Sequence, residues 1–355
     1  MQFSQIKISK LILIFLLLFI AAAQPGIAQE TDILDFLPAI LAAAARNTDN
    51  NVGVPLNQFN IGDSIGEALV ADGTSDITDL EDLEFLRNHQ TVWSTGYNPN
   101  DTVYSLNERF ENRDALNYYE NNEARDFIFN HAVSGAVMGD FAVQATDIVA
   151  AASSSTPSNT AGMVTILLGN NDVCAPSLED MTNPEPFENQ YRAGLDVLAN
   201  SPATSSSYIH VSGIPAIYWL WNAKRNNNWC RFAWQYIRTC QNLLASPEDD
   251  CVSDESRLAP NTVYEGDGPN CIRRKTFHAR IRDIYNPILK EVLQEYIDTN
   301  RLPNAYFIDI FDVILNYSHI NDADCFHPSE AGHALLSDEE WCRSQWGKDD
   351  LTCAP

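Results

Sequence analysis

Phe59-Asn60-Ile61-Gly62-Asp63-Ser64-Ile65-Gly66 is a short strand-like run that breaks at Gly62 and presents a serine on the turn. A Gly-Asp-Ser turn at the end of a buried strand is, taken alone, only a turn. It gains meaning from three later stretches of the chain. Gly135 closes the turn His131-Ala132-Val133-Ser134-Gly135, Asn171 sits in Gly169-Asn170-Asn171-Asp172, and Asp324 precedes His327 in Asp324-Cys325-Phe326-His327. A serine, a histidine with a carboxylate three residues before it, and spare amide donors are the parts of a nucleophilic acyl-transfer site.

Outward from the serine the same rhythm recurs. Phe127-Ile128-Phe129-Asn130 reads as a second strand leading to the Gly135 turn. Met163 to Leu168 is a nearly continuous apolar run, the pattern of a strand buried on both faces of a parallel sheet. Tyr208 to Val211 and Ala305 to Phe311 are further strands. Helical patterns lie between them: Met138 to about Ala152 with Phe141, Ala145, Ile148 and Val149 on one face, residues 187–199, Phe277 to Tyr296 with a break or kink near Pro287, and a closing helix from Ser329 to about Trp346. A helix is also expected through Glu67-Ala68-Leu69-Val70, placing positive dipole and free N–H groups near the serine oxygen. Strands alternating with helices predict an α/β protein with three α/β/α layers around a central parallel sheet. Ligands in such sheets bind beyond the carboxyl ends of the strands, where Ser64, Gly135 and Asn171 all fall.

Block by block, these residues resemble the SGNH (GDSL-type) hydrolase superfamily. Gly62-Asp63-Ser64 is similar to its nucleophile block, Gly135 to its glycine block, Gly169-x-Asn171-Asp172 to its GxND block, and Asp324-x-x-His327 to its DxxH block. The resemblance implies the superfamily's flavodoxin-like fold and an esterase or lipase that needs no cofactor and no metal. It assigns Ser64, Asp324 and His327 to catalysis, although some members orient the histidine through a backbone carbonyl. It assigns the amides of Ser64, Gly135 and Asn171 to the oxyanion. One departure is Gly66, which makes Gly-Asp-Ser-Ile-Gly also a GxSxG elbow of the α/β-hydrolase type. Position argues against that fold, because only residues 29–63 precede Ser64 once a leader is removed, too few for the strands that come before such an elbow.

The remaining side chains have plainer readings. Asp63 and Asp172 suit acceptors for nearby backbone amides, and His131, His210 and His333 suit packed or exposed positions. Asp322 and Asp324 lack the spacing of an EF-hand calcium loop. From about 72 to 126 the chain turns polar and aromatic, as an insertion over the site would, and Trp93 and Tyr97 are candidate substrate-binding residues there.

Lys7 and Lys10 precede an apolar run from Leu11 to about Ala23, and small residues come next at Gly26-Ile27-Ala28. This is the pattern of a signal peptide over residues 1–28, an uncleaved N-terminal anchor being the alternative. Residues 29–355 then form a single hydrolase domain with inserts at about 72–126 and 222–272, secreted or periplasmic, with no stable membrane insertion. The chain carries 48 acidic against 22 basic residues, a net charge of −26, so nucleic acid is an unsuitable partner. Eight cysteines in an exported chain suggest up to four disulfides of open connectivity. Four of them, between Cys230 and Cys271, mark a stapled, loop-rich insert, and Cys325 suits a brace for the Asp324–His327 loop. The expected substrate is a small-molecule or lipid ester, in the manner of the phospholipase B or lysophospholipase-like branch. A carbohydrate O-acetylesterase is the alternative, and a non-catalytic binding protein is the alternative of another class.

Overall fold

The structure, a computed structural model, describes residues 54–353 apart from 56, 74–86, 112–128, 155–158 and 247. The expected leader, residues 29–50, Phe127, Ile128 and much of the 72–126 segment lie outside the described residues. Four strands, β1 (Gln58–Gly62), β2 (Met163–Leu167), β3 (Tyr208–Ser212) and β4 (Ala305–Ile308), form one sheet in the order β1-β2-β3-β4, every pair parallel. On the free side of β1, Asn130 makes an isolated parallel bridge to Asn60. β1 thus has later segments of the chain on both sides, and the strand order reverses there. A ligand crevice opens at such a switch point.

The main helices are α1 (Leu106–Glu111), α2 (Phe141–Ser154), α3 (Pro184–Asn200), α4 (Tyr218–Lys224), α5 (Asn228–Ile237), α6 (Pro269–Arg280), α7 (Asn286–Asp298) and α8 (Glu330–Arg343). Strand periodicity divides the sheet into two unlike faces. Phe59, Ile61, Val164, Ile166, Ile209 and Val211 point into one apolar core shared with Phe141 and Ile148 of α2, Leu195 of α3 and Leu289 of α7. The alternate residues Asn60, Thr165, His210 and Ser212 are equally buried but polar. Such groups are tolerated only when hydrogen-bonded. Thr165 Oγ1 donates to Asn60 Oδ1 at 2.9 Å, Asn60 Nδ2 to Asn130 Oδ1 at 3.0 Å, and His210 Nε2 meets Gln345 Oε1 at 3.0 Å. Trp346 covers this second face against Tyr208 and His210, and Phe110 of α1 packs on Trp341 of α8 and on Trp346.

The pattern expected to break near Pro287 is continuous helix from Pro269 to Asp298, interrupted by one π-helical turn over Ile281–Tyr285. A wider turn accommodates the missing proline N–H and its ring without ending the helix. Four disulfides join Cys174–Cys240, Cys230–Cys325, Cys251–Cys271 and Cys342–Cys353. Only Cys251–Cys271 closes within the segment expected as a stapled, loop-rich insert. That segment also contains α5, and Cys230 and Cys240 tie it outward. Among the described residues no helix is long and apolar enough to cross a membrane.

Candidate active site

β1 delivers the serine, and its last residue is clamped. The Gly62 N–H donates to Gln144 Oε1 at 2.9 Å while the Gly62 carbonyl accepts from Gln144 Nε2 at 2.9 Å. Both backbone groups at the strand end are thereby satisfied from α2. Four residues on, a Cβ at Gly66 would lie 2.6 Å from the Ala132 Cβ and 2.9 Å from Asn60 Nδ2. Gly66 is therefore required by close packing of the Gly135 turn. Ser64 is not among the described residues with positive φ, unlike the strained serine of an α/β-hydrolase elbow.

The helix expected from Glu67 to Val70 does not form. Residues 63–73 run as consecutive turns, with Ala68 at φ +49° and Val70 at φ +55°. The cause is competition for carbonyls. Gly66 O accepts from the side-chain amides of Asn130 at 2.8 Å and Asn60 at 3.3 Å, Val70 O from the Asn321 side chain, and Ala71 O from the Glu330 N–H at 3.0 Å. Oxygens that a helix would use internally hold distant segments instead, so no helix N-terminus stands behind Ser64.

His327 comes from the loop between β4 and α8, closed by an antiparallel bridge of Ile320 with Pro328 and by the Asn321 N–H on His327 O at 2.9 Å. Asp324 Oδ1 accepts the Phe326 and His327 N–H groups at 2.9 and 3.1 Å, which points Oδ2 at the ring: His327 Nδ1 lies 2.5 Å from Asp324 Oδ2. On the other side His327 Nε2 lies 2.8 Å from Ser64 Oγ, so residues 263 positions apart are in hydrogen-bond contact. Between them Cys325, at φ +59°, is bonded to Cys230 and its carbonyl accepts from Trp234 Nε1 at 2.8 Å. A left-handed non-glycine residue persists only when its surroundings fix it.

Charges around the imidazole are arranged to favour its protonated form. Burial disfavours a charged His327, but Asp324 first and then Asp63 and Glu67 outweigh it and hold the ring above its ordinary range. Burial would likewise raise Asp324, yet the imidazole and the two loop amides bring it below the usual carboxylate value. Asp63 is pushed up to about 6 by burial, despite hydrogen bonds from Asn170 and the Ile65 N–H. It accepts from Ile65 N and Asn170 Nδ2, each at 2.9 Å, and Asp172 accepts from the Met138 N–H at 2.7 Å, the structural roles expected of both.

Ser64, His327 and Asn171 line one cavity of about 580 Å³, counting space open to solvent. Its other walls are mostly apolar, including Ile65, Ile217, Leu220, Leu315, Phe326 and Leu336. Asn171 Nδ2 donates to Ala136 O at 2.9 Å, which uses one of its two amide hydrogens. Gly135, at φ +80°, is not in the wall; its turn is held through Ala136 to Asn171 and through Ser134 to Glu67. Trp93 and Tyr97 are corrected. Trp93 is 0 % exposed, because an indole on that segment finds enough apolar surface to be enclosed in the core. Tyr97 borders a different, more polar concavity with Asp101 and Glu108. Neither touches the space beside Ser64.

Gln144 and Glu67 belong to no motif block, Asn170 fills the variable position of the Gly169-x-Asn171-Asp172 block, and sequence reasoning missed the roles of all three. Gln144 had a signal, being a polar residue beside Phe141, Ala145 and Ile148 on an otherwise apolar helix face.

The parallel sheet, with a serine, a histidine and an asparagine meeting past its strand ends, defines an α/β hydrolase of the SGNH type. Residues 59–340 match the family model of the GDSL-like Lipase/Acylhydrolase, and the chain belongs to that family. It is a hydrolase acting on a small-molecule substrate. Comparison with individual curated proteins gives no match.

Proposed function

We propose that the protein is an exported carboxylic ester hydrolase that cleaves acyl esters of lipid or lysophospholipid type through an acyl-enzyme on Ser64. The observation that carries this reading is the unbroken chain Asp324 Oδ2–His327–Ser64 Oγ, at 2.5 and 2.8 Å, at the wall of an apolar cavity. His327 Nε2 takes the hydroxyl proton as Ser64 Oγ attacks the ester carbonyl. Asp324 holds the proton on Nδ1 and stabilises the imidazolium. Collapse of the tetrahedral intermediate breaks the C–O bond, and His327 returns its proton to the leaving alcohol. Water repeats the sequence on the acyl-enzyme and releases the acid. The Ser64 and Gly135 N–H groups and the second Asn171 amide hydrogen are the donors assigned to the oxyanion; losing one costs about 10²–10³ in turnover.

The apolar wall favours an acyl chain, whereas a polysaccharide acetyl group needs no such space. Four disulfides support an oxidising compartment. The test is Ser64→Ala on p-nitrophenyl esters from acetyl to palmitoyl. The variant is expected to lose about 10⁴-fold or more in kcat with its unfolding midpoint kept, and the wild type to prefer medium or long chains. Full activity in the variant refutes the assignment. A maximum at acetyl turns the substrate reading toward deacetylation.

A further inference from the structure

The helix that braces the His327 loop is apolar on both sides. On the inner side of α5, Cys230, Ala233 and Trp234 are buried. On the outer side Trp229, Phe232 and Tyr236 are 46, 56 and 77 % exposed, their rings in a row with centroids 5.8 and 6.0 Å apart. The spacing i, i+3, i+7 puts all three on one stripe. A surface helix normally carries charged and polar residues there.

Two further observations say what covers the stripe. The first is position. α5 follows α4, whose Leu220 lines the cavity beside Ser64, and Trp229 Nε1 donates to Ala323 O at 3.1 Å, one residue before Asp324. The loop that supplies Leu315 to the cavity also exposes Ile314 and Tyr317, and the Tyr317 hydroxyl meets Asn227, the N-cap of α5, at 2.7 Å. Exposed apolar groups thus continue outward from an apolar cavity. The second is charge. In a chain with 48 acidic residues, residues 197–247 contain none; of their four cations Lys224 is buried against Asp322 and Arg225 pairs with Asp249, while Arg231 and Arg238 enter no ion pair among the described residues. Arg231 lies on α5 itself and the exposed Arg238 just past its end.

We infer that the outer face of α5 is the surface by which the enzyme docks on a phospholipid layer, its aromatic rings in the interfacial zone and its arginines on headgroup phosphates, with the Ser64 cavity facing the lipid. Trp, Tyr and Phe are suited to that zone because each offers a large apolar body, and Trp and Tyr also a polar tip. Asp322, which borders the face through the Tyr317 hydroxyl at 3.0 Å, is paired with Lys224, and that pairing limits the repulsion it would exert on phosphate. The inference rests on the lipid-ester reading above, and its test separates the two.

The exported chain from residue 29 onward carrying Ser64→Ala, which leaves the bilayer intact, is sedimented with phosphatidylcholine vesicles, with and without phosphatidylglycerol. It is expected to bind both, the anionic mixture more tightly. Adding Trp229→Ser, Phe232→Ser and Tyr236→Ser should lower the partition coefficient by roughly tenfold or more, and Arg231→Gln with Arg238→Gln should remove the preference for anionic vesicles. With Ser64 intact, the double variant Phe232→Ser with Tyr236→Ser, which keeps the Trp229 Nε1–Ala323 O hydrogen bond, should hydrolyse a soluble short-chain ester at the wild-type kcat/KM and lose several-fold on vesicle-borne ester, which excludes misfolding. No sedimentation of the Ser64→Ala chain, or equal sedimentation of the aromatic variant, overturns the inference while leaving ester hydrolysis standing. A wild-type dimer that the aromatic variant turns into a monomer, or binding to insoluble polysaccharide in place of vesicles, overturns it too. Hydrolysis that survives Ser64→Ala overturns the functional reading instead, whatever the vesicles show.

Discussion

Residues 63–73 and residues 320–328 both lack regular helix or sheet, and each supplies one partner of the Ser64–His327 contact, yet they are held in different ways. The serine turns hang on polar side chains: Gln144 at Gly62, Asn60 and Asn130 at Gly66, Asn170 at Asp63. The histidine loop hangs on a covalent bond, Cys230–Cys325, with Trp234 behind it and Asp324 capping its own turn. The two are then joined directly, Asn321 to Val70 O and the Glu330 N–H to Ala71 O. A nucleophile at the end of a central strand can borrow rigidity from buried neighbours. A base on an outer loop has fewer neighbours, and a disulfide supplies what burial does not.

If that contrast is right, the largest effect should come from the carboxylate that belongs to the histidine loop alone. Asp324→Asn keeps the shape of the turn but presents the wrong group to His327 Nδ1, and kcat on a short-chain ester should fall by about 10⁴-fold. The same variant should move the acid limb of kcat/KM to lower pH. His327 is held above its ordinary value chiefly by Asp324 against its burial, so wild-type activity disappears as pH falls through a value above 6.5. A limb that stays in place would mean that Asp324 does not set the ring's charge.

The next effect tests the staple. Replacing Cys230 and Cys325 together by alanine opens a closure of 95 residues, for which chain entropy gives about 4.7 kcal/mol of lost stability. Activity at low temperature should fall as well, since Cys325 at φ +59° is then free to relax. Removing Cys342–Cys353, with a separation of 11 residues near the end of the chain, should leave kcat unchanged. Equal kinetic losses from both pairs would erase the distinction between the two loops.

Turning to the serine side, Asp63 is a buried carboxyl at about 6 against an ordinary 3.8. A carboxyl raised by folding contributes stability that is complete below pH 3.8 and is lost as pH rises through about 6. The shift of about two pH units corresponds to about 3 kcal/mol. Asp63→Asn removes that pH dependence. Asn170 Oδ1 is buried without a partner, so Asn170 can turn its amide over and accept from the new side chain. Urea unfolding should show the variant gaining on the wild type from pH 4 to pH 8. A constant difference across that range would mean that Asp63 stays charged in the fold.

This contrast also explains what could be read from the letters. Four of the strands, their parallel sense and the meeting of Ser64, Asn171, Asp324 and His327 were legible because each depends on a local signal, an apolar run or a short block at its end. The bracing role of Cys325 was legible from its place between Asp324 and His327. The turns after Ser64 were not. Glu67-Ala68-Leu69-Val70 has good helical composition, but carbonyls from Gly66 to Ala71 are claimed by Asn60, Asn88, Asn130, Asn321 and Glu330, a competition that no local window contains. Trp93 misled for the opposite reason: a tryptophan in a polar stretch looks exposed until the core that encloses it is known.

The smallest expected effect concerns Glu67, which links the serine turns to the glycine turn. Its Oε2 accepts from the Ser134 N–H at 2.8 Å and from the Ser134 hydroxyl, and its Oε1 pairs with Arg87 Nε at 2.9 Å. Burial raises its carboxyl, and its charge is one of those that hold His327 above the ordinary histidine range. Glu67→Gln keeps an acceptor for the Ser134 N–H and removes only the charge. The acid limb of kcat/KM should therefore move to lower pH, by less than in Asp324→Asn, while the plateau is kept. Glu67→Ala also releases the turn that carries Gly135, so there the plateau itself should fall. If Glu67→Gln lowers the plateau and leaves the limb where it was, Glu67 acts through geometry alone, and Asp63 is left as the carboxylate of the serine side that acts on the charge of His327.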